Sequence, residues 1–188
     1  MQMEQAEQDL VRRAVEGHAD AFDRLVEIHS ARLYRLVRRT APDRGEAEAL
    51  VQEAWLRAWK YRRRCSTDRP FFPWLASIAV NLARDAWRKR RPSDFADLGE
   101  SVEEVPAEDV SAEDRFEAHE GSLRLSQLLE ELRPEWRIVL SLRYDADLEY
   151  SEIAAALGVP LNTVRTHLRR AKAALRARLE DDGGRPTG

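Results

Sequence analysis

Apolar residues recur at intervals of three and four along the first ninety residues, which is the period of an amphipathic helix. The clearest run carries Phe22, Leu25, Leu33 and Val37, in a helix that we expect Asp20 to cap. No stretch of the chain alternates between apolar and polar residues for long enough to indicate a strand. The pattern therefore predicts helices throughout.

Three more helices are predicted around this one. Gly17 ends a short first helix, because glycine readily adopts the left-handed conformation that closes a helix. A third helix covers residues 47–59, and after a loop over 62–70 a fourth helix has Pro73 in its first turn. Together these elements predict an N-terminal helical domain over residues 1–92.

The helical period is lost over residues 93–122. This stretch holds 11 acidic residues against one arginine and few large apolar residues, which is typical of a flexible linker. Helical spacing returns over residues 123–180, the second predicted domain, and residues 181–188 form a tail.

A helix-turn-helix is predicted within the second domain. Ile153 and Leu157 form one short apolar face, Gly158 supplies a tight turn, and Val164 in the next helix packs back on them. The predicted fold class is therefore all-α, with two small helical domains joined by a flexible acidic linker, the second a helix-turn-helix domain.

The second helix of this motif carries a basic face. Arg165, Arg169, Lys172 and Arg176 are spaced by four, three and four residues, and no acid follows until Glu180. A solvated surface helix is the alternative, but such helices usually mix charges of both signs. The pattern favours DNA binding, in which cations contact phosphates and arginine forks contact guanine edges.

A second basic cluster closes the fourth predicted helix. It contains Arg84, Arg88, Lys89, Arg90 and Arg91, with Trp74 and Trp87 nearby. Interleaved cations and aromatic rings suit single-stranded nucleic acid. Cations also stabilise a helix C-terminus and aromatic rings also fill cores, so the spacing leaves both interpretations open.

Charge supports a polyanion as partner. The net charge is −3, but residues 1–92 hold 19 basic against 13 acidic residues and residues 123–188 hold 11 against 10. Two basic surfaces are thus separated by the acidic segment.

The sequence contains no arrangement of residues that indicates catalysis or metal binding. Cys65 is the only cysteine, which excludes an intrachain disulfide and indicates an incidental free thiol. The four histidines are scattered, and no Gly-rich phosphate loop is present. No run of 18 apolar residues or signal peptide occurs. We therefore predict a cytoplasmic protein that is not an enzyme, has no cofactor and does not insert in a membrane.

The chain resembles the extracytoplasmic-function (ECF) class of bacterial sigma factors over residues 8–92 and 123–180. A tryptophan-to-asparagine stretch, a basic run, an acidic linker and a helix-turn-helix follow one another in the order typical of this class. The matching stretches are residues 17–22, 47–53, 74–81 and 152–171.

The resemblance implies a role in transcription initiation and three binding surfaces. The first meets the clamp helices of the polymerase β′ subunit, through Gln52, Glu53, Leu56 and Trp59. The second opens and binds the promoter −10 element, through Trp74, Asn81, Arg84, Trp87, Arg88, Arg90 and Arg91. The third reads the −35 element as duplex DNA, through Thr163, Arg165, Thr166, Arg169, Arg170 and Lys172.

Within the second surface, the resemblance implies that Asn81 helps to hold a flipped-out base, although the residue alone is more typical of a solvated helix position than of a base contact. It also implies the polymerase β flap and an anti-sigma factor as partners, in a stress or envelope response. A further hypothesis is that the acidic linker competes with DNA for the two basic surfaces.

Three positions depart from the class. Ala49 replaces a common aspartate on the surface expected to meet the clamp, which predicts weaker or rearranged docking. Glu149 stands where a serine or threonine cap is usual, so Asp147 is expected to substitute or the helix to fray. Pro134 follows Arg133, one residue later than the Leu-Pro pair that is common in the class.

Two alternatives to a sigma factor stay open at this point. A free-standing dimeric helix-turn-helix regulator would need a dimerisation surface and a palindromic site. A structural helical adaptor would not need a DNA-reading helix.

Overall fold

The computed structural model describes residues 2–90 and 127–183, and every regular element in those ranges is a helix. This confirms the predicted all-α class. The helices are α1 (Gln2–Glu16), α2 (Ala19–Thr40), α3 (Ala47–Lys60), α4 (Phe71–Arg90), α5 (Pro134–Tyr144), α6 (Tyr150–Leu157) and α7 (Leu161–Gly183), with 3-10 turns at Arg44–Glu46 and Arg62–Arg64. A single helical turn at 127–130 precedes α5. The predicted linker at 93–122 lies outside the described residues.

Helix α2 is the centre of the N-terminal bundle. It packs against α1, α3 and α4, and its Leu25, Leu33 and Leu36 are fully buried. The buried face of α3 consists of alanines, Ala54 and Ala58 among them. Small side chains let two helix backbones approach closely, so α3 packs tightly while its opposite face stays exposed.

The end of α1 agrees with the sequence prediction, and the start of α2 does not. Gly17 has a φ of +109° after the last residue of α1, and the amide of His18 donates to the oxygen of Arg13 at 3.0 Å. The prediction that Asp20 caps α2 is wrong, because His18 is the N-cap residue and Asp20 lies one residue inside the helix. There Asp20 accepts a hydrogen bond from Arg13, in the first turn where a negative charge is favourable.

The helix-turn-helix forms as the apolar spacing predicts. Gly158 follows α6 with a φ of +66°, and the amide of Val159 donates to the oxygen of Ala154 at 3.1 Å. Ile153, Leu157 and Val164 are buried in the core where α6 packs against α7. Helix α5 covers the other side of α7.

The expected weakness at the start of α6 is absent. The helix begins at Tyr150, directly after Glu149, and the amide of Glu149 donates to Oε2 of Glu152 at 2.9 Å. Asp147 has a φ of +53° and takes no part in this cap. A carboxylate three residues into the helix therefore satisfies an amide at its start, as in a capping box.

The two helical domains pack directly against each other. Helix α5 lies on α2, and α6 lies on α4. The sequence predicted two bodies joined by a linker and gave no reason to expect this contact. Within the described ranges, no helix is both long enough and apolar enough to cross a bilayer.

Candidate nucleic-acid and polymerase interfaces

Three arginines of α7 lie on the protein surface. Arg165, Arg169 and Arg170 are all exposed, beyond the turn that Gly158 makes. Arg165 also lies 3.4 Å from the side-chain oxygen of Asn162. A helix that follows a tight turn and presents exposed guanidinium groups has the chemistry to contact phosphates and base edges in a major groove.

The other predicted −35 residues are less accessible. Thr163 and Thr166 are only 4% and 6% exposed, so these side chains do not reach the surface where a duplex would lie. Their DNA contact stays a prediction, and it requires that these two hydroxyl groups become exposed. Lys172 is half-buried, with Nζ 5.8 Å from the centre of the Tyr144 ring. His167, on the same helix, is also buried.

Two polar residues of the predicted −10 surface face the C-terminal domain. The Nδ2 of Asn81 donates to the main-chain oxygen of Ala156 at 2.9 Å. The Nη1 of Arg84 donates to the main-chain oxygen of Leu157 at 2.6 Å, and burial lowers the pKa of this guanidinium. Both acceptors lie in the last turn of α6, where helix carbonyls have no partner inside the helix.

The tryptophans predicted for the same surface take part in packing. Trp87 is half-buried and its Nε1 donates to the main-chain oxygen of Thr40 at 2.8 Å, while the guanidinium of Arg137 lies 4.9 Å from its ring centre. Trp74 is half-buried, with its ring 5.6 Å from that of Phe71. Of the two interpretations that the sequence left open for these rings, the structure supports a packing role.

The basic end of α4 is partly neutralised. Arg88 and Arg90 are both exposed, but Arg90 pairs with Glu46 at 2.5 Å and lies 3.8 Å from Asp43. Arg91 lies outside the described residues. Arg88 is therefore the more available cation at this end of the helix.

The residues predicted to meet the polymerase lie along one side of α3. Ala49, Gln52 and Leu56 are exposed, and Glu53 pairs with Arg57 at 2.7 Å. Leu56 is 66% exposed, the largest exposed fraction among the large apolar residues described. A single exposed apolar residue is common on protein surfaces, so Leu56 is a candidate polymerase contact because it lies on the side of α3 that the resemblance assigns to the clamp helices.

Trp59 differs from its neighbours on α3. It is half-buried, its ring centre is 5.0 Å from that of Phe22, and the guanidinium of Arg62 lies 4.2 Å from it. The residue therefore packs α3 against α2, and at most its edge is available to a partner.

Sequence reasoning missed Asp145. Its carboxylate pairs with Arg39, and its main-chain oxygen accepts a hydrogen bond from Nε of Arg32 at 3.0 Å. Both arginines lie on α2, more than one hundred positions earlier in the chain. No local pattern could have indicated pairs with such separation.

The described residues offer no metal centre, since no group of three or more His, Cys, Asp and Glu side chains among them is placed to hold an ion. Cys65 is a buried free thiol, and burial raises its pKa to about 11. A thiol of this kind is unreactive.

Comparison with known proteins assigns both halves of the chain. Residues 25–93 match Sigma-70 region 2, and residues 122–175 match Sigma-70, region 4. The ECF RNA polymerase sigma factor SigW of Bacillus subtilis is 32% identical over 178 residues, which cover 91% of this chain and 95% of SigW.

Two solved structures share the architecture. CnrH in complex with the cytosolic domain of CnrY superimposes with a TM-score of 0.66 at 26% identity, over 94% of this chain and 99% of CnrH. The sigma factor RpoE of Bartonella quintana, in complex with the anti-sigma factor NepR, gives a TM-score of 0.62 at 20% identity, over 85% and 96% of the two chains, and so supports the fold alone. On the family matches and the identity to SigW, the chain belongs to the ECF class of RNA polymerase sigma factors.

Proposed function

We propose that the chain binds core RNA polymerase through the exposed side of α3 and directs it to promoters that carry two recognition elements. Helix α7 reads the −35 element as duplex through Arg165, Arg169 and Arg170, and α4 contacts the opened −10 element through Asn81, Arg84 and Arg88. The polymerase sets the distance between the two modules, so that two weak contacts act together. The chain itself catalyses no reaction and acts in the cytoplasm, where the polymerase is.

The strongest support for this proposal is the presence of two features in one chain. The same chain holds a match to Sigma-70 region 2 and, after it, a helix-turn-helix whose second helix has three exposed arginines. A DNA-reading helix alone is common to many regulators. Its combination with region 2 argues against the free-standing dimeric regulator, which has no use for a polymerase-binding module, and against a purely structural adaptor.

The family to which the chain belongs also indicates its binding partners. The β′ clamp helices would meet Gln52, Glu53 and Leu56, and the β flap would meet the C-terminal domain. Since CnrH was solved with the cytosolic domain of CnrY and RpoE with the anti-sigma factor NepR, we propose that an anti-sigma factor binds this chain also. Release from that factor would start a stress or envelope response.

Run-off transcription tests the proposal. Genomic fragments are transcribed with purified core RNA polymerase, with and without this protein, and the start sites are mapped. Specific starts that appear only with the protein support a sigma factor. Tight binding to a palindromic site without polymerase, and no new starts with it, would support the dimeric regulator instead.

A further inference from the structure

Asn162 lies on the exposed side of α7 together with two of the arginines proposed to read the −35 element. Asn162, Arg165 and Arg169 are spaced by three and four residues, so they follow one another along one side of the helix, and all three are exposed. Asn162 comes first of the three, in the opening turn of α7, which begins at Leu161. In a helix-turn-helix, the N-terminal residues of the second helix contact the base edges. Asn162 is therefore placed where a base edge is met.

The turn before α7 fixes the position of Asn162. Gly158 follows α6 with a φ of +66°, and the main-chain oxygen of Pro160 accepts from the amides of Thr163 and Val164, at 3.0 and 3.4 Å. The side chain of Val164 is buried in the core, which anchors this first turn of α7. The backbone at Asn162 is thus held by hydrogen bonds and packing, as a side chain that reads sequence requires.

The side chain of Asn162 contacts Arg165 and does not cap the helix. Its Oδ1 lies 3.4 Å from Nη1 of Arg165. A capping asparagine precedes the first turn and accepts from a backbone amide, whereas Asn162 lies inside α7. An amide oxygen has two lone pairs, and an amide nitrogen carries two hydrogens. Within the described ranges, the contact with Arg165 leaves one lone pair and both hydrogens of Asn162 for a partner.

These remaining groups match the edge that adenine presents in the major groove. Adenine offers N7 as an acceptor and N6 as a donor, and an asparagine amide bonds both at once. Arg165, held beside Asn162, can at the same time direct its guanidinium fork to O6 and N7 of a neighbouring guanine. Because the contact limits the rotamers of both side chains, less conformational entropy is lost when the pair binds DNA.

We propose that Asn162 is a further specificity-determining residue of the −35 interface, and that it selects an adenine next to a guanine selected by Arg165. The resemblance does not assign Asn162 to this interface, and the two threonines that it does assign, Thr163 and Thr166, are buried. This inference rests on the proposed function and adds one base contact to it.

Asn162→Asp tests the assignment by a change of the preferred base. A carboxylate has no hydrogen to give to N7 of adenine, but it accepts from N4 of cytosine, so we expect a preference for cytosine at the position where the wild type prefers adenine. The variant keeps an oxygen for Arg165, and a negative charge is favourable in the first turn of a helix, so the fold is preserved.

Asn162→Ala removes both contacts of the side chain. We expect it to lose about tenfold in its preference for adenine, and to relax the preference for guanine at the neighbouring position, because Arg165 is no longer held. Gln127→Glu, at an exposed position outside the helix-turn-helix, is the control for Asn162→Asp with the same change in charge.

Selection from a randomised duplex measures these preferences. The full chain and core RNA polymerase bind a library of a promoter that run-off transcription has identified, with only its −35 region randomised, and the bound duplexes are sequenced. The preference at each position is a ratio within one variant, so a uniform loss of affinity from the added charge cancels.

We expect adenine beside guanine for the wild type and for Gln127→Glu, cytosine in place of that adenine for Asn162→Asp, and no choice there for Asn162→Ala. Two results would overturn the inference: a wild type that selects no adenine next to a guanine, or Asn162 variants that keep every wild-type preference. Both leave the proposed function standing, because the wild type still selects a −35 sequence. If the wild type selects no sequence at all, the proposed function itself fails.

Discussion

The side-chain Nδ2 of Asn81 donates a 2.9 Å hydrogen bond to the main-chain oxygen of Ala156. Asn81 lies in the part of the chain that matches Sigma-70 region 2, and Ala156 lies in the part that matches region 4. The contact joins a helix proposed to hold an unpaired base to the end of the first helix of the helix-turn-helix. The two promoter-binding modules are thus physically coupled before any DNA or polymerase is present.

Arg169→Ala and Arg170→Ala are expected to weaken recognition at particular base pairs of the −35 element. An exposed arginine that forms a bidentate contact with guanine contributes about 1–3 kcal/mol of discrimination. Binding of the variants to duplexes with single substitutions in the element, by competition, measures this. Arg178→Ala is the control on the same helix, because its guanidinium already contacts Glu131 at 3.3 Å. A loss that is uniform across all duplexes would show that the two arginines contact phosphates only.

Gly158→Ala is expected to destabilise the C-terminal domain by about 1 kcal/mol, because the residue has a φ of +66° that a side chain disfavours. A Cβ at this position would meet no atom within 4 Å, so the cost is conformational rather than steric. Urea unfolding of the full chain gives the free energy.

Gly45→Ala is the matched control for the turn. A Cβ there would lie 3.6 Å from Oδ1 of Asp43, an ordinary contact, and the residue is not among those with a positive φ. We expect little change, or a small gain from the reduced freedom of the unfolded chain. Equal losses in the two variants would refute the role assigned to the turn.

The sequence predicted what depends on local pattern. The apolar period of α2, the turn at Gly158 and the exposed arginines of α7 each follow from residues a few positions apart. The pairing of Asp145 with Arg39 does not, because the two are 106 positions apart and each looks like an ordinary surface charge. The predicted cap of α2 was wrong because aspartate is favourable both before a helix and within its first turn, and local sequence does not distinguish the two positions. Asp20 lies within the first turn, where it bonds to Arg13.

His29 is expected to make the stability of the N-terminal domain depend on pH. Burial, with Arg32 assisting and Glu7 opposing, lowers its pKa below the ordinary value of 6.5. The folded state therefore binds fewer protons than the unfolded state between the lowered pKa and 6.5. The contribution is fully present above 6.5 and is lost as the pH falls through this window.

Urea unfolding of wild type and His29→Gln across this pH range measures the effect. His29→Gln should lose part of the slope below pH 6.5, whatever its absolute stability. If His29→Gln keeps the whole slope of stability against pH below pH 6.5, groups other than His29 cause the pH dependence.

Neutralising the 11 acids of residues 93–122 is expected to raise the affinity of the free protein for DNA. With 11 acids against one arginine, this segment has a net charge of −10 and could compete with phosphates for the basic surfaces. Fluorescence anisotropy at low and high salt measures the gain, which should shrink as salt screens the charges. An affinity equal to that of wild type at low salt would rule out the competition.

The most direct measurement is a titration of the fluorescently labelled chain with purified core RNA polymerase. We predict a saturable one-to-one complex that Leu56→Asp weakens by about 2 kcal/mol or more, since Leu56 is the exposed apolar anchor of α3. Ile28→Asp, the same kind of change at another exposed apolar residue, should bind as wild type does. Failure of the wild-type chain to bind core polymerase would contradict the proposal that it acts as a sigma factor.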